Sequence, residues 1–330
     1  MTQDDLPGER PVEIWVPAQP QPYARVAPYW NARQSQSRAS LSLALLLFVL
    51  TLISTLAVGA QFASAYAAGS SPDFDNFFSS YLKLLAHPHL LLAGVPFAFT
   101  LIGILLAHEL GHFFACRHYG IAASYPFFIP APTLIGTLGA FIRIRSPIVS
   151  RRALFDVGIS GPVVGFALAI PAMAVGVALS KIVPGVEADS AVQFGHPLAL
   201  YLLLEVIRPG VPIGDVLLHP IARAAWVGLF ATALNLLPAA QLDGGHILYS
   251  ISSRQHKWIS LGVAVALIPL AIFEWWGWLV WAALLFALRF RHPPLIDPWT
   301  PVGREREVWA FVAIAIFVLC FMPSPIIIAT

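Results

Sequence analysis

The sequence predicts an all-α polytopic membrane protein of about seven transmembrane helices (six to eight), and three observations carry that prediction. The first is composition: 58% of the 330 residues are hydrophobic, 11% are charged, and mean hydropathy is +0.75. Soluble domains carry about 25% charged residues, so water cannot cover this surface and lipid must cover much of it. The second is that apolar stretches recur along the chain at roughly the 20-residue length a hydrocarbon core requires. The third is that arginine and lysine are divided unequally between alternate connecting segments.

Residues 1–40 are polar and proline-rich, show no helical period, and read as a flexible cytoplasmic tail. Residues 41–60 form the first span, with residues 41–89 comprising that helix and an external loop. Ala63-Ser64-Ala65 resembles a signal-cleavage site, but the long polar tail ahead of it is wrong for a signal peptide. The helix reads as retained. Further spans are expected at residues 90–116, 154–179, 217–237, 258–273, 278–288 and 308–322. Glu274-Trp275-Trp276-Gly277-Trp278 joins the fifth and sixth as an interfacial aromatic belt, so these two short spans make a tight hairpin. With the N-terminus inside, only Lys83, Lys181, Arg208 and Arg223 of the nineteen basic residues fall outside, leaving fifteen within. That bias predicts a cytoplasmic N-terminus.

The net charge of +2 and the lack of a basic run give no reason to expect a nucleic-acid partner. Cys116 and Cys320 sit in separate apolar segments and do not form a disulfide framework. Cys116 lies one helical turn after His112 and reads as helix packing rather than as a ligand.

The second span ends in Leu106-Ala107-His108-Glu109-Leu110-Gly111-His112. Residues four apart on a helix share a face, about 5–6 Å apart at Cβ, so both imidazoles can bind one zinc ion. Glu109 projects beside them as a general base toward water. With ten histidines in 330 residues, the pattern is expected by chance roughly 0.007 times. Ionisable residues inside a span are costly and default to function. Snorkelling to the headgroups explains Arg117 and His118 but not the cluster.

Zinc needs a third protein ligand and an open position. The second span runs inward, so its histidines lie near the cytoplasmic end. Glu187, Asp189, Glu205, Asp215 and Glu274 fall on the opposite side. Asp243 follows the fourth span, which also runs inward, within Asn235-Leu236-Leu237-Pro238-Ala239-Ala240-Gln241-Leu242-Asp243-Gly244-Gly245. Pro238 is expected to end the helix and the glycines to let the backbone turn sharply. Broken backbone at membrane depth must be buried in protein or line a watery cavity, which a hydrolase needs. Asp156 is the rival, expected instead to pair with Arg151 or Arg152 at a helix start.

These residues resemble the site-2 protease family of intramembrane zinc metalloproteases. The resemblance rests on His108-Glu109-Leu110-Gly111-His112, on Gly158-Ile159-Ser160-Gly161-Pro162, and on Asn235-Leu236-Leu237-Pro238 with Leu242-Asp243-Gly244. It covers residues 90–245, read as a catalytic core of three spans; residues 246–330, read as C-terminal helices, match loosely. It implies one Zn2+ per chain on His108, His112 and Asp243, Glu109 as general base, and Asn235 stabilising an oxyanion. A purely structural role for Asn235, bonding between helices, stays open. Gly161-Pro162 reads as a close helix contact, and His246 has no ligand role. The implied substrate is a transmembrane protein cut within the lipid bilayer, usually after another protease has trimmed its exterior.

Many members insert a PDZ domain between the histidines and the aspartate, but the connecting segments here are shorter than the roughly 50 residues a domain takes. Gating then falls to the membrane part. Residues 126–145 are β-prone, with prolines confining their start to an edge and Ile142 and Ile144 alternating with Arg143 and Arg145. They resemble the family's membrane-associated β-hairpin near the active site, which either pairs with an unwound substrate strand or plugs the cytoplasmic mouth. Competing classes are a catalytically silent scaffold or chaperone, a membrane zinc protease acting on non-transmembrane substrates, and a zinc transporter. The first would have lost Glu109 or a ligand, the second usually takes a later glutamate, and the third needs polar sites spread along a path.

Overall fold

Apolar runs become helices because lipid offers a backbone no hydrogen-bonding partners except its own. The computed structural model describes residues 38–72, 87–188, 192–288 and 295–328. Residues 1–37 of the expected tail, and the charged positions Lys83, Asp189, Arg289 and Arg291, lie outside the described residues. The helices are α1 (Arg38–Ala68), α2 (Val95–His118, entered through a 3-10 turn at Pro88–Gly94), α3 (Arg151–Ala178) and α4 (Leu198–Ile207). They continue with α5 (Pro220–Asn235), α6 (Asp243–Ile251), α7 (Ser253–Phe273), α8 (Gly277–Ala287) and α9 (Arg304–Cys320).

Four stretches among the described residues are long and apolar enough to cross a membrane: Ser40–Ala68, Pro88–His118, Arg151–Ala178 and Ser253–Phe273. The other three expected spans form helices of 16, 11 and 17 residues, namely α5, α8 and α9. The first span runs past its expected end because Gln61-Phe62-Ala63-Ser64-Ala65 continues the helix although hydropathy falls there. The decapeptide α4 was too short to count as a span and exposes Tyr201, Leu202 and Val206.

α3 is the central helix and packs against α2, α5 and α6. Its Ser150 cap accepts from the Ala153 amide, and Pro162 and Pro171 lie within it. Among the described residues there are also three small antiparallel pairs. β1 (Phe127–Pro130) pairs with β2 (Thr137–Phe141), β3 (Lys181–Ile182) with β5 (Val216–Leu217), and β4 (Val192–Phe194) with β6 (Ile326–Ile328).

The β1–β2 hairpin falls within the expected segment, but its strands lie earlier than the alternating residues 142–145. Those residues continue the pairing more loosely, through the Ser124 amide to the Arg143 carbonyl (3.0 Å) and the Arg145 amide to the Ala122 carbonyl (2.7 Å). The ladder slips between Phe128 and Pro130, where proline has no N–H to donate. On one side the hairpin is fastened to α1: Ser54 Oγ donates to the Gly136 carbonyl (2.5 Å), and Phe48 meets Phe128 edge-on. On the other side β2 packs against α2, which brings it to the histidines.

Candidate metal centre

His108, Glu109 and His112 are buried on α2. The facing side of α3 makes the room. A Cβ at Gly161 would stand 2.1 Å from His112 Nε2, and one at Gly165 would stand 3.1 Å from His108 Nδ1. The expected close helix contact at Gly161 is present, since a Cβ on Gly111 would meet Gly161 Cα at 3.1 Å, and the same glycine also seats the His112 imidazole. His112 Nδ1 lies 2.6 Å from the Val157 carbonyl, and a carbonyl only accepts. The ring hydrogen therefore sits on Nδ1, leaving the Nε2 lone pair pointing inward.

Asp243 reaches the same point from the first turn of α6. Its Oδ2 is 3.2 Å from His108 Nε2 and 3.3 Å from His112 Nε2, and the two imidazole nitrogens are 3.1 Å apart. A tetrahedral ion with bonds of about 2.0–2.1 Å places its ligand atoms roughly 3.3–3.4 Å apart. Three electron-pair donors at that spacing in a buried place fit zinc by number, type and distance. Among the described residues they form the metal-capable His/Cys/Asp/Glu group. Cys116 is buried instead among Ile121, Ala153 and Val157.

The segment between α5 and α6 is built differently from the sequence expectation. The left-handed residue is Ala240 (φ 49°), whereas Gly244 and Gly245 have no positive φ and begin α6. They are needed for close approach: a Cβ on Gly244 would meet the Leu236 carbonyl oxygen at 2.1 Å, and one on Gly245 the Ala239 oxygen at 2.5 Å. The broken backbone is satisfied by α7, where Ser260 Oγ accepts from the Ala240 amide (3.1 Å) and His256 Nε2 donates to the Ala240 carbonyl (2.9 Å). The fold thus gives two buried polar residues of α7 a purpose that sequence reasoning missed.

Asn235, the last residue of α5, holds Nδ2 3.3 Å from His108 Nε2. With Glu109, these residues border a cleft of about 190 Å³ whose further wall includes Phe141, Ile142, Gln241 and His246. Ile142 lines the cleft together with Glu109, so the hairpin reaches the glutamate's side of the site. All five site residues named from sequence therefore meet in one cleft. Ile142, Val157, Gln241 and His246 join them; Val157 acts through its backbone carbonyl, which leaves no mark in a sequence.

Asp156 is elsewhere, and its expected partners are wrong. Arg306 grips its carboxylate with Nε (2.8 Å) and Nη2 (2.6 Å), while Tyr119 donates its hydroxyl to Oδ2. Burial first, and then Asp156, push the Tyr119 phenol up, which keeps it a neutral donor. Arg151 instead reaches the Ser250 (2.5 Å) and Ile251 carbonyls, and Arg152 the Pro301 carbonyl (2.9 Å). Those carbonyls close the end of α6 or lead into α9, and a guanidinium satisfies them better than it would an already paired carboxylate.

A membrane-helical scaffold that converges His-Glu-x-x-His and a distant aspartate on one cleft defines the zinc metalloprotease class. The chain belongs to peptidase family M50, whose profile matches residues 96–273, in agreement with the site-2 protease resemblance. It is 33% identical over 248 residues to "Probable zinc metalloprotease EGY1, chloroplastic" of Arabidopsis thaliana, covering 70% of this chain and 43% of that protein. It is 29% identical to the protein of the same name from Oryza sativa subsp. japonica, covering 85% and 50% of the two. To "Probable zinc metalloprotease EGY2, chloroplastic" of Arabidopsis thaliana it is 29% identical over 96% of this chain and 53% of the relative. The chain spans about half the length of these curated relatives.

The packing of Gly161 predicts a specific defect. Gly161→Ala should displace the His112 ring and weaken metal binding about tenfold or more. Gly165→Ala, with its nearest atom 3.1 Å away, should do less. Metal analysis of the purified proteins under a graded chelator checks this, and equal retention by Gly161→Ala and the unaltered protein would refute it.

Proposed function

We propose that this protein is an intramembrane zinc metalloendopeptidase that hydrolyses peptide bonds within or near transmembrane segments of membrane-protein substrates. The observation that carries the reading is that His108, Glu109 and His112 lie within a helix long and apolar enough to cross a membrane, where Asp243 meets the two histidines. His108, His112 and Asp243 would hold the zinc, which would supply Lewis acidity toward a peptide carbonyl and toward water. Glu109 takes the proton of the attacking water and returns it to the departing amine. The Asn235 amide donates to the carbonyl oxygen as negative charge develops there, where a fixed donor is worth most. The substrate is a transmembrane protein, pre-trimmed by another protease, reached through the bilayer.

Seven crossings with a cytoplasmic N-terminus and cytoplasmic active-site mouth belong to the same proposal. Its support is that helix ends among the described residues gather in two layers. In one, the start of α3 meets Asp297, the end of α6 and the first turn of α9. In the other, Tyr66 bonds the Leu179 carbonyl (2.5 Å), β4 pairs with β6, Trp278 bonds the Pro323 carbonyl (2.5 Å) and Ser324 bonds Glu274. Each of α7, α8 and α9 leads from one layer toward the other, so the short helices cross with help from their flanking segments. External cysteine labelling should reach residues 185–214 and miss residues 119–150 and 246–257. Labelling of residues 143–152 from outside would reverse the orientation.

A transmembrane helix hides its peptide bonds in its own hydrogen bonds and must unwind before it is cut. The hairpin offers the compensating groups. The Arg143 and Arg145 amides point toward residues 122–124, so alternation puts those of Ala140 and Ile142 on the opposite edge, beside Glu109. An unwound substrate strand paired there would lie across the metal.

Two measurements follow. His108→Ala, His112→Ala and Asp243→Asn should each sharply lower zinc from one per chain, whereas Glu109→Gln should keep zinc and lose cleavage by at least about a hundredfold. Full zinc in Asp243→Asn would move the third-ligand role to another acid. Ala140→Pro or Phe141→Pro, each removing one amide, should slow cleavage of a membrane substrate at unchanged zinc and affect a short unfolded peptide less. Normal membrane cleavage by both would leave the hairpin only a plug.

A further inference from the structure

We infer that Arg306, Asp156 and Tyr119 form a positioning unit for the metal centre, acting through α3 on His112. The inference rests on the assignment of His112 as a zinc ligand. Two polar rungs join α2 to α3. One is His112 Nδ1 to the Val157 carbonyl at 2.6 Å; the other is the Tyr119 hydroxyl to the Asp156 carboxylate. On the α2 side they start from His112 and from Tyr119, the residue that caps the end of α2, and on α3 they spring from adjacent residues.

A shift of α3 at Asp156 therefore moves the Val157 carbonyl. It also moves Gly161, whose missing side chain makes room for the imidazole edge of His112. Gly158, on the same segment, abuts Asp243: its Cβ would lie 3.2 Å from the Asp243 carbonyl oxygen. The stretch from Asp156 to Gly161 thus backs the His112 imidazole and the backbone that carries Asp243.

Arg306 fixes the second rung. Its fork takes both Asp156 oxygens, its Nη2 also contacts Tyr119 Oη at 3.3 Å, and Nη1 donates to Val302 O at 3.3 Å. Bidentate guanidinium–carboxylate pairing sets direction as well as distance, which a lysine ammonium cannot do. Its side chain is 23% exposed, and that of Asp156 30%, so water screens the pair and its net contribution to stability is small. Orientation is the better account of three groups converging on one carboxylate. The last helix of the chain is thereby tied to the metal site without touching it.

The test uses the full-length protein in detergent, loaded with Co2+ as a visible reporter of ligand geometry, and zinc release into excess chelator. Arg306→Ala should shift or weaken the cobalt absorption band and speed zinc release about tenfold, lowering kcat with little change in KM. Arg306→Lys should fall between it and the unaltered protein, and Tyr119→Phe should move both readouts in the same direction. Arg152→Ala, which removes a bond to the Pro301 carbonyl on the same face, should leave band and release unchanged.

An unaltered band and release rate in Arg306→Ala would overturn the inference, as would an equal change in Arg152→Ala. If Arg306→Ala does not fold, Tyr119→Phe, which deletes one hydroxyl, decides the question by the same readouts. Failure of the zinc assignment reads separately, as full metal content in His112→Ala.

Discussion

Two imidazole nitrogens and a carboxylate oxygen lie 3.1–3.3 Å apart in a buried place. Without a cation among them, three electron-rich atoms at that separation repel one another. Much of the surrounding architecture serves to hold them there. Two missing side chains on α3 admit the rings, a main-chain carbonyl sets one tautomer, and an interrupted helix delivers the aspartate to the same depth.

The interruption between α5 and α6 exposes backbone groups that lipid cannot satisfy. The protein answers with Ser260 and His256 of α7, both buried and both aimed at Ala240. Helix α7 is therefore part of the site's support although it contributes nothing to the cleft. The hairpin solves a related problem on the opposite wall. It is held to α1 at Ser54 and Phe48, and its Ile142 lines the cleft with Glu109. Substrate access and catalysis thus share one element in the proposed mechanism.

What was legible in the sequence follows from how local each signal is. His108, Glu109 and His112 announce themselves because helical spacing fixes their geometry. Asp243 could be selected because the direction of each span limits depth. Asp156 could be set aside as a ligand, but not given its partner, because Arg306 lies 150 residues away along the chain and Arg151 and Arg152 were nearer in sequence. The glycines after Asp243 were recognisable as special while the reason was not: close approach and positive φ leave the same letter. The Val157 carbonyl belongs to every residue type and has no signature at all. Short helices such as α5 and α8 carry too few apolar residues to be told from buried helices by hydropathy.

The central claim is that one zinc ion is held by two imidazole nitrogens and one carboxylate oxygen. X-ray absorption spectroscopy at the zinc edge, on protein purified in detergent with one equivalent of metal, tests it most directly. The account predicts a four-coordinate shell of nitrogen and oxygen at about 2.0–2.1 Å, with outer-shell scattering from two imidazole rings. A sulfur scatterer at about 2.3 Å would put Cys116 or Cys320 in the site, and a shell without imidazole scattering would remove the histidines; either result contradicts the account.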